Sequence, residues 1–204
     1  MSQLVSEKSP AQPPVMTFPP AESAWLCELY ARADVILEYG SGGSTVFAGG
    51  LAGKTVYSVE SDPDWAADLA DWFHQNPPRA DLRLHPVDIG KTGKWGAPQS
   101  NAGWRRYHRY PLSVWDLPGF RHPDLVLVDG RFRAACLLAT LFRIERPVTL
   151  LFDDYVGRPV YATAVERYAE PTEIRGRMAR FDLEPTAFPV ADMSHIWEVF
   201  TRQN

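Results

Sequence analysis

The chain has 204 residues, 45% of them hydrophobic and 23% charged, which fits one globular domain with a core large enough to fold unaided. A net charge of -4 argues against nucleic acid as the main partner, because duplex binding rests on neutralising phosphates. No apolar run approaches the roughly 18 residues of a membrane span, and no basic stretch followed by an apolar one opens the chain, so the expectation is a cytoplasmic protein without a membrane partner.

Residues 1–20 carry Pro10, Pro13, Pro14, Pro19 and Pro20 among polar residues, which predicts an extended or disordered arm. Residues 21–204 show no internal repeat and no second linker, and so read as a single domain. Trp25, Leu26, Leu29 and Tyr30 recur at helical spacing, giving a first helix that ends near Ala33. Residues 35–38 form a short apolar run stopped by glycines, a buried strand, and residues 55–60 form a second, rich in β-formers. Ser61 is expected to cap the following helix, with Pro63 in its first turn and Asp64 completing a capping box. Trp65, Leu69, Trp72 and Phe73 make its predicted buried stripe, and Asn76-Pro77-Pro78 ends it. A third strand is expected over residues 82–88.

Residues 90–122 then form an unusually long connection. Residues 124–129 are the clearest strand of the chain, followed by a helix over residues 132–144. A fifth strand over 148–152 precedes a helix over 159–169. Residues 177–183 and 196–201 read as two closing strands with only a loop between them. Cys27 and Cys136 each lie in an apolar helical pattern, as reduced, packed thiols do. The sum is an α/β sheet of about seven strands, mostly parallel and covered on both faces, with one antiparallel strand near the C-terminus.

Ligands of open α/β sheets bind outside the carboxyl ends of the strands. The first strand ends in Glu38-Tyr39-Gly40-Ser41-Gly42-Gly43-Ser44-Thr45, where glycine permits a sharp turn and close approach of a ligand. The dinucleotide pattern Gly-x-Gly-x-x-Gly requires glycine where Thr45 stands, which counts against an NAD-dependent oxidoreductase. Glu60 ends the second strand about twenty residues beyond Gly40, where a carboxylate accepts hydrogen bonds from ribose hydroxyls.

The glycine stretch resembles motif I of the class I S-adenosylmethionine (SAM) methyltransferases, an acidic residue followed by Gly-x-Gly. Residues 123–133, Pro-Asp-Leu-Val-Leu-Val-Asp-Gly-Arg-Phe-Arg, look like those of an uncharacterised bacterial methyltransferase-like group. The resemblance implies a Rossmann-like fold over residues 21–204 and SAM as cofactor. It places Gly40, Ser41, Gly42, Gly43 and Ser44 against the methionyl part, Glu38 in support of the loop or the ammonium, and Asp88 near the adenine amino group. In cation-dependent O-methyltransferases an Asp after strand four and an acidic pair after strand five bind a divalent ion. By that likeness Asp129, Asp153 and Asp154 are expected to hold Mg or Mn, with Asp129 and Asp153 catalytic and Asp129 also among the cofactor-binding residues. The alternative keeps Asp129 paired with Arg131 or Arg133 and makes Asp153 or Asp154 a helix cap.

The 90–122 connection interleaves Arg105, Arg106 and Arg109 with Trp95, Trp104, Tyr107, Tyr110 and Trp115. Loops this long are usually functional, so it is expected to form a lid or wall over the acceptor pocket, with the three arginines near an anionic group; the alternative is a surface insertion or an oligomer contact. The reading is a SAM-dependent methyltransferase directed to oxygen of a small-molecule or anionic acceptor. The alternative is a protein of the same fold that binds the cofactor without catalysis.

Overall fold

A computed structural model describes residues 13–203. Seven strands, β1 (Val35–Tyr39), β2 (Thr55–Glu60), β3 (Asp81–Pro86), β4 (Leu125–Val128), β5 (Val148–Phe152), β6 (Glu173–Arg175) and β7 (Met178–Leu183), form one sheet in the order β3-β2-β1-β4-β5-β7-β6. β3, β2, β1, β4 and β5 pair in parallel, and β7 runs antiparallel to both β5 and β6. This is the class I methyltransferase sheet that the resemblance implied.

The helices are α1 (Pro20–Arg32), α2 (Gly43–Gly49), α3 (Pro63–Gln75), α4 (Trp104–Tyr107), α5 (Arg109–Leu112), α6 (Arg133–Arg143), α7 (Pro159–Val165) and α8 (Met193–Thr201). None of the described helices is long and apolar enough to cross a membrane. Side chains alternate across a strand, so one apolar run feeds two cores. Val35, Leu37, Tyr39, Val126 and Val128 pack with α6 and α8, whereas Ile36, Leu125, Leu127 and Leu151 pack with Trp25, Leu26 and Tyr30 of α1. Burial on both faces is why these strands are apolar throughout.

Four expectations change. Residues 196–201 are helical, because Ile196, Val199 and Phe200 fall on one buried face while Trp197 stays exposed. The closing strand pair is β6 with β7, joined through a left-handed Gly176. Asp62, not Ser61, caps α3, accepting from the N–H groups of Asp64 (3.1 Å) and Trp65 (3.2 Å), while the Ser61 hydroxyl donates to the Gly96 carbonyl at 3.0 Å. Leu69 and Phe73 are buried on α3, but Trp65 is exposed and lies over the ends of the strands.

The fourth concerns residues 90–122, most of which pack into the core, with Trp95 and Gly96 alone of the segment lining the cavity at the strand ends. They coil into short helical turns including α4 and α5, and Tyr107, Tyr110, Val114 and Trp115 are buried against the sheet and α6. The Tyr39 hydroxyl accepts from Trp115 Nε1 at 2.8 Å and donates to the Pro111 carbonyl at 2.7 Å, fixing the segment in the core. Arg106 pairs with Asp88 at 2.5 Å and Arg105 stacks over Trp104.

The arm splits. Residues 1–12 lie outside the described residues, whereas 13–18 run without helix or strand across the glycine turn, and Phe18 is buried. Both described cysteines are free thiols.

Phe181 on β7 packs against Phe152 and Tyr155 with no exposure. Phe181→Ala is expected to destabilise the fold by about 3–5 kcal/mol, read from the urea midpoint at constant slope.

Candidate functional site

The carboxyl ends of β1, β2, β4 and β5 open onto a cavity of about 580 Å³, within the range of small-ligand sites. The glycine turn forms its floor, and Glu60, Asp62 and Trp65 form one end. Asp129, Arg131, Arg133, Asp154 and Arg158 form the other, and residues 14–18 with Trp95 and Gly96 close it from above.

Two glycines are required by space. Gly40 has φ +105°, and a Cβ there would lie 2.7 Å from the Gly130 nitrogen, so the turns after β1 and β4 touch backbone to backbone. A Cβ on Gly43 would lie 2.2 Å from the Met16 nitrogen, so only glycine lets the N-terminal segment lie over the turn. Thr45, standing where the dinucleotide pattern needs glycine, is buried, and its hydroxyl accepts from the Gly42 N–H at 2.9 Å. The turn is thereby closed from inside the protein.

Glu60 is prearranged. One carboxylate oxygen accepts from the N–H groups of Ser61 (2.7 Å) and Asp62 (2.8 Å), and the other from Ser41 at 3.2 Å. Burial raises its pKa while these backbone donors oppose the rise. Trp65 donates Nε1–H to the Ser41 carbonyl at 2.8 Å, and Trp95, 75% exposed, presents a second indole to the cavity. Trp95 belongs to the connection expected to cover the acceptor pocket, whereas the spacing of Trp65 assigns it to the buried stripe of α3 and gives no sign of a site role.

Glu38 lies beneath the floor rather than in the cavity. It is fully buried, accepts from the Tyr30 hydroxyl at 2.7 Å, and has its pKa raised by burial. It supports the loop and does not line the cavity. Asp88 is also outside, corrected from the adenine position: Arg106 and the Gly90 N–H hold it on the surface. Arg105, Arg106 and Arg109 do not reach the cavity either.

The expected cation site is replaced by arginines. Arg133, 5% exposed, lies 3.0 Å from Asp129 Oδ1, 3.8 Å from Asp153 and 3.6 Å from Asp154. Arg177 forms a two-pronged pair with Asp153 at 3.0 and 2.9 Å and reaches Asp154 at 3.2 Å, and Arg158 meets Asp154 at 2.8 Å. Three guanidinium groups thus neutralise three carboxylates, the task given to a cation, and no acidic or histidine cluster placed to hold a metal occurs among the described residues. Asp153 is 1% exposed and committed to arginine, so it is a structural residue and not a catalytic one. Arg177 carries no local signal of this role, because only the antiparallel register of β5 with β7 brings it to the rim.

Asp129 does line the cavity, with its side chain 31% exposed. Desolvation and the neighbouring Asp153 and Asp154 push its pKa up to about 7, against the pull of Arg133.

No family model matches the sequence, and no curated protein matches it. Among solved structures, the chain is similar to a methyltransferase-like protein from Silicibacter pomeroyi DSS-3, at 51% identity and a TM-score of 0.87 over 93% of this chain and 98% of that one. It is similar in fold to the O-methyltransferase TomG from Streptomyces achromogenes, involved in tomaymycin synthesis and solved with SAM, at 15% identity and a TM-score of 0.57 over 83% and 82% of the two chains. A Bacillus cereus O-methyltransferase solved in complex with SAH matches at 13% identity and a TM-score of 0.55 over 83% and 84%. Identities this low speak to fold alone.

Two outcomes follow from the charge cluster. Asp153→Ala strips Arg177 and the buried Arg133 of a partner, and is expected to cost about 3 kcal/mol by urea denaturation, with chelator leaving the wild-type midpoint unmoved. The raised pKa of Asp129 means that between about pH 4 and about 7 the folded chain holds a proton the unfolded chain releases. Its contribution to stability is full below about pH 4 and lost as pH rises through about 7. Asp129→Asn should flatten that part of the dependence, so wild type loses more stability than the variant between pH 5 and pH 8.

Proposed function

The chain belongs to the class I S-adenosylmethionine-dependent methyltransferase family, and on that premise we propose that it transfers the methyl group of SAM to an oxygen of a small, anionic acceptor. The observation that carries the cofactor reading is the Glu60 carboxylate, fixed by backbone N–H groups and facing the same cavity as the glycine turn. A carboxylate so placed accepts from ribose hydroxyls, and the floor from Gly40 to Ser44 leaves backbone and space for the methionyl part. Trp65 and Trp95 offer flat faces at the ribose end. The Thr45 hydroxyl, closing the turn from within, favours this ligand over a nicotinamide dinucleotide.

SAM, held by Glu60 and the glycine turn, would supply an electrophilic methyl: the acceptor oxygen would bond to the methyl carbon as the carbon–sulfur bond breaks, with S-adenosylhomocysteine leaving as a neutral thioether. The chain's residues align the acceptor and manage its proton, and alignment dominates in such chemistry. Asp129 is the group suited to accept the acceptor's hydroxyl proton: it faces the cavity and is poised near neutrality by burial and by Asp153 and Asp154. Arg133 sits at 3.0 Å to stabilise its ionised form. The arginine cluster makes a metal unnecessary for keeping the acidic rim together.

Calorimetry tests the cofactor. SAM or its demethylated product should bind more tightly than NAD, and Glu60→Ala should weaken that binding about 10- to 100-fold, equivalent to roughly 1.5–3 kcal/mol. Tighter NAD binding, or no loss in the variant, reverses the assignment. For the reaction, labelled SAM offered with pools of hydroxylated carboxylates and phosphates should yield a methylated product, and Asp129→Asn should slow turnover by about 100-fold or more without altering SAM affinity. Cofactor binding with no transfer to any acceptor would leave a binding protein of the same fold.

A further inference from the structure

The charged groups lining the cavity are engaged within the protein, with one exception among the described residues. Glu60 and Asp62 are held by backbone N–H groups, Asp129 by Arg133, and Asp154 by Arg158 and Arg177. Arg131 lines the cavity with no carboxylate within ion-pair distance, and its Nε is buried without a hydrogen-bond partner. A buried charged donor left unmatched is costly and calls for an explanation, and at the wall of a cavity an acceptor group brought by a ligand supplies one.

The backbone on either side of Arg131 is fixed. Gly130 lies against the Gly40 backbone and the Tyr110 hydroxyl, where a Cβ would come within 2.1 Å of the oxygen. Phe132 is left-handed at φ 52°, buried, with its ring centroid 4.9 Å from that of Tyr107 and 5.6 Å from that of Tyr110. Non-glycine residues persist in that conformation only where the surroundings over-determine it, and such strain gathers at functional sites. The Cys136 thiol, donating to the Arg131 carbonyl at 3.4 Å, adds a further tie. The backbone carrying Arg131 is therefore fixed at the wall of the cavity, so its guanidinium starts from a set position beside the cavity rather than from a mobile surface loop.

Its position along the sheet decides which anion it meets. Glu60 follows β2, the glycine turn follows β1 and Arg131 follows β4, and these strands are consecutive in the sheet. A ligand with its ribose on Glu60 and its methionyl part over the turn leaves Arg131 beyond the transferable methyl, on the side an acceptor enters. We infer that Arg131 is the anion-recognising residue of the acceptor subsite, and that the acceptor carries a carboxylate or phosphate a few atoms from the hydroxyl that is methylated. The short spacing follows from Asp129 and Arg131 lying two residues apart on one rigid turn, the first suited to the proton and the second to the oxyanion. Arginine presents paired donors to such a group, a geometry lysine lacks.

The inference rests on the proposed SAM reading, and the test separates the two. The Arg131 Nε–H resonance, assigned by its loss in Arg131→Lys, is followed by nitrogen-edited NMR of the full chain saturated with S-adenosylhomocysteine. Salicylate and phenyl phosphate should shift it saturably and neutral phenol should not. Arg131→Lys should weaken both anions at least tenfold while leaving the S-adenosylhomocysteine dissociation constant within twofold. Absence of any anion-induced shift on the saturated protein overturns the inference while the cofactor reading stands. Loss of S-adenosylhomocysteine affinity in Arg131→Lys, with 5′-methylthioadenosine binding spared, also overturns it, because Arg131 then reads the cofactor's own carboxylate. A wild type that binds neither nucleoside ligand removes the SAM reading itself.

Discussion

Three carboxylates at the ends of two adjacent parallel strands repel one another, and the fold is arranged to hold them together. Asp129 follows β4, and Asp153 and Asp154 follow β5, so the sheet alone brings them to one rim. Arg133, from the first turn of α6, reaches all three, while Arg177 crosses from the start of β7. The pairing therefore ties a helix and the antiparallel strand to the two strands that frame the cavity. Buried ion pairs seldom add net stability, because desolvation consumes most of the attraction. Their consequence here is positional: α6 begins, and β7 registers, where the rim needs them.

With the rim held, the rest of the cavity can be strained. Trp95, Phe132 and Asp154 are the non-glycine residues with positive φ among those described, and all belong to the cavity or adjoin it. Phe132 and Asp154 lie in the turns that follow β4 and β5, and Trp95 lies in the connection that follows β3. The two cores flanking β1, β4 and β5 supply the rigidity against which those conformations persist.

Features that depend on neighbours along the chain are legible in the residues themselves. The glycine turn, Glu60 and the apolar runs of β1 and β4 are local signals, and each stands where its pattern implies. Residues 196–201 mislead because Ile-Trp-Glu-Val-Phe-Thr is rich in strand formers, and packing of Ile196, Val199 and Phe200 against the core overrides that preference. The aromatics between residues 104 and 115 read as a surface lid since short amphipathic turns have too few residues to show a period; their burial comes from the sheet face they cover. Asp88 falls away from the cavity because Arg106 and the Gly90 N–H hold it on the surface, a contact no local pattern announces. The partners of Asp153 are hidden more deeply. Arg177 lies 24 positions away along the chain, and nothing local marks it as the counterpart of a buried carboxylate.

The segment from Pro14 to Phe18 has a practical bearing on how the domain is bounded. Composition draws the domain edge at about residue 21, after the prolines, yet the backbone of Val15 and Met16 presses on Gly43 and forms part of the ligand chamber. An expression clone trimmed at that compositional edge would retain every strand of the sheet and every residue of the glycine turn. It would nevertheless be missing one wall, and its ligand affinities would describe an open groove instead of the enclosed chamber of the intact chain.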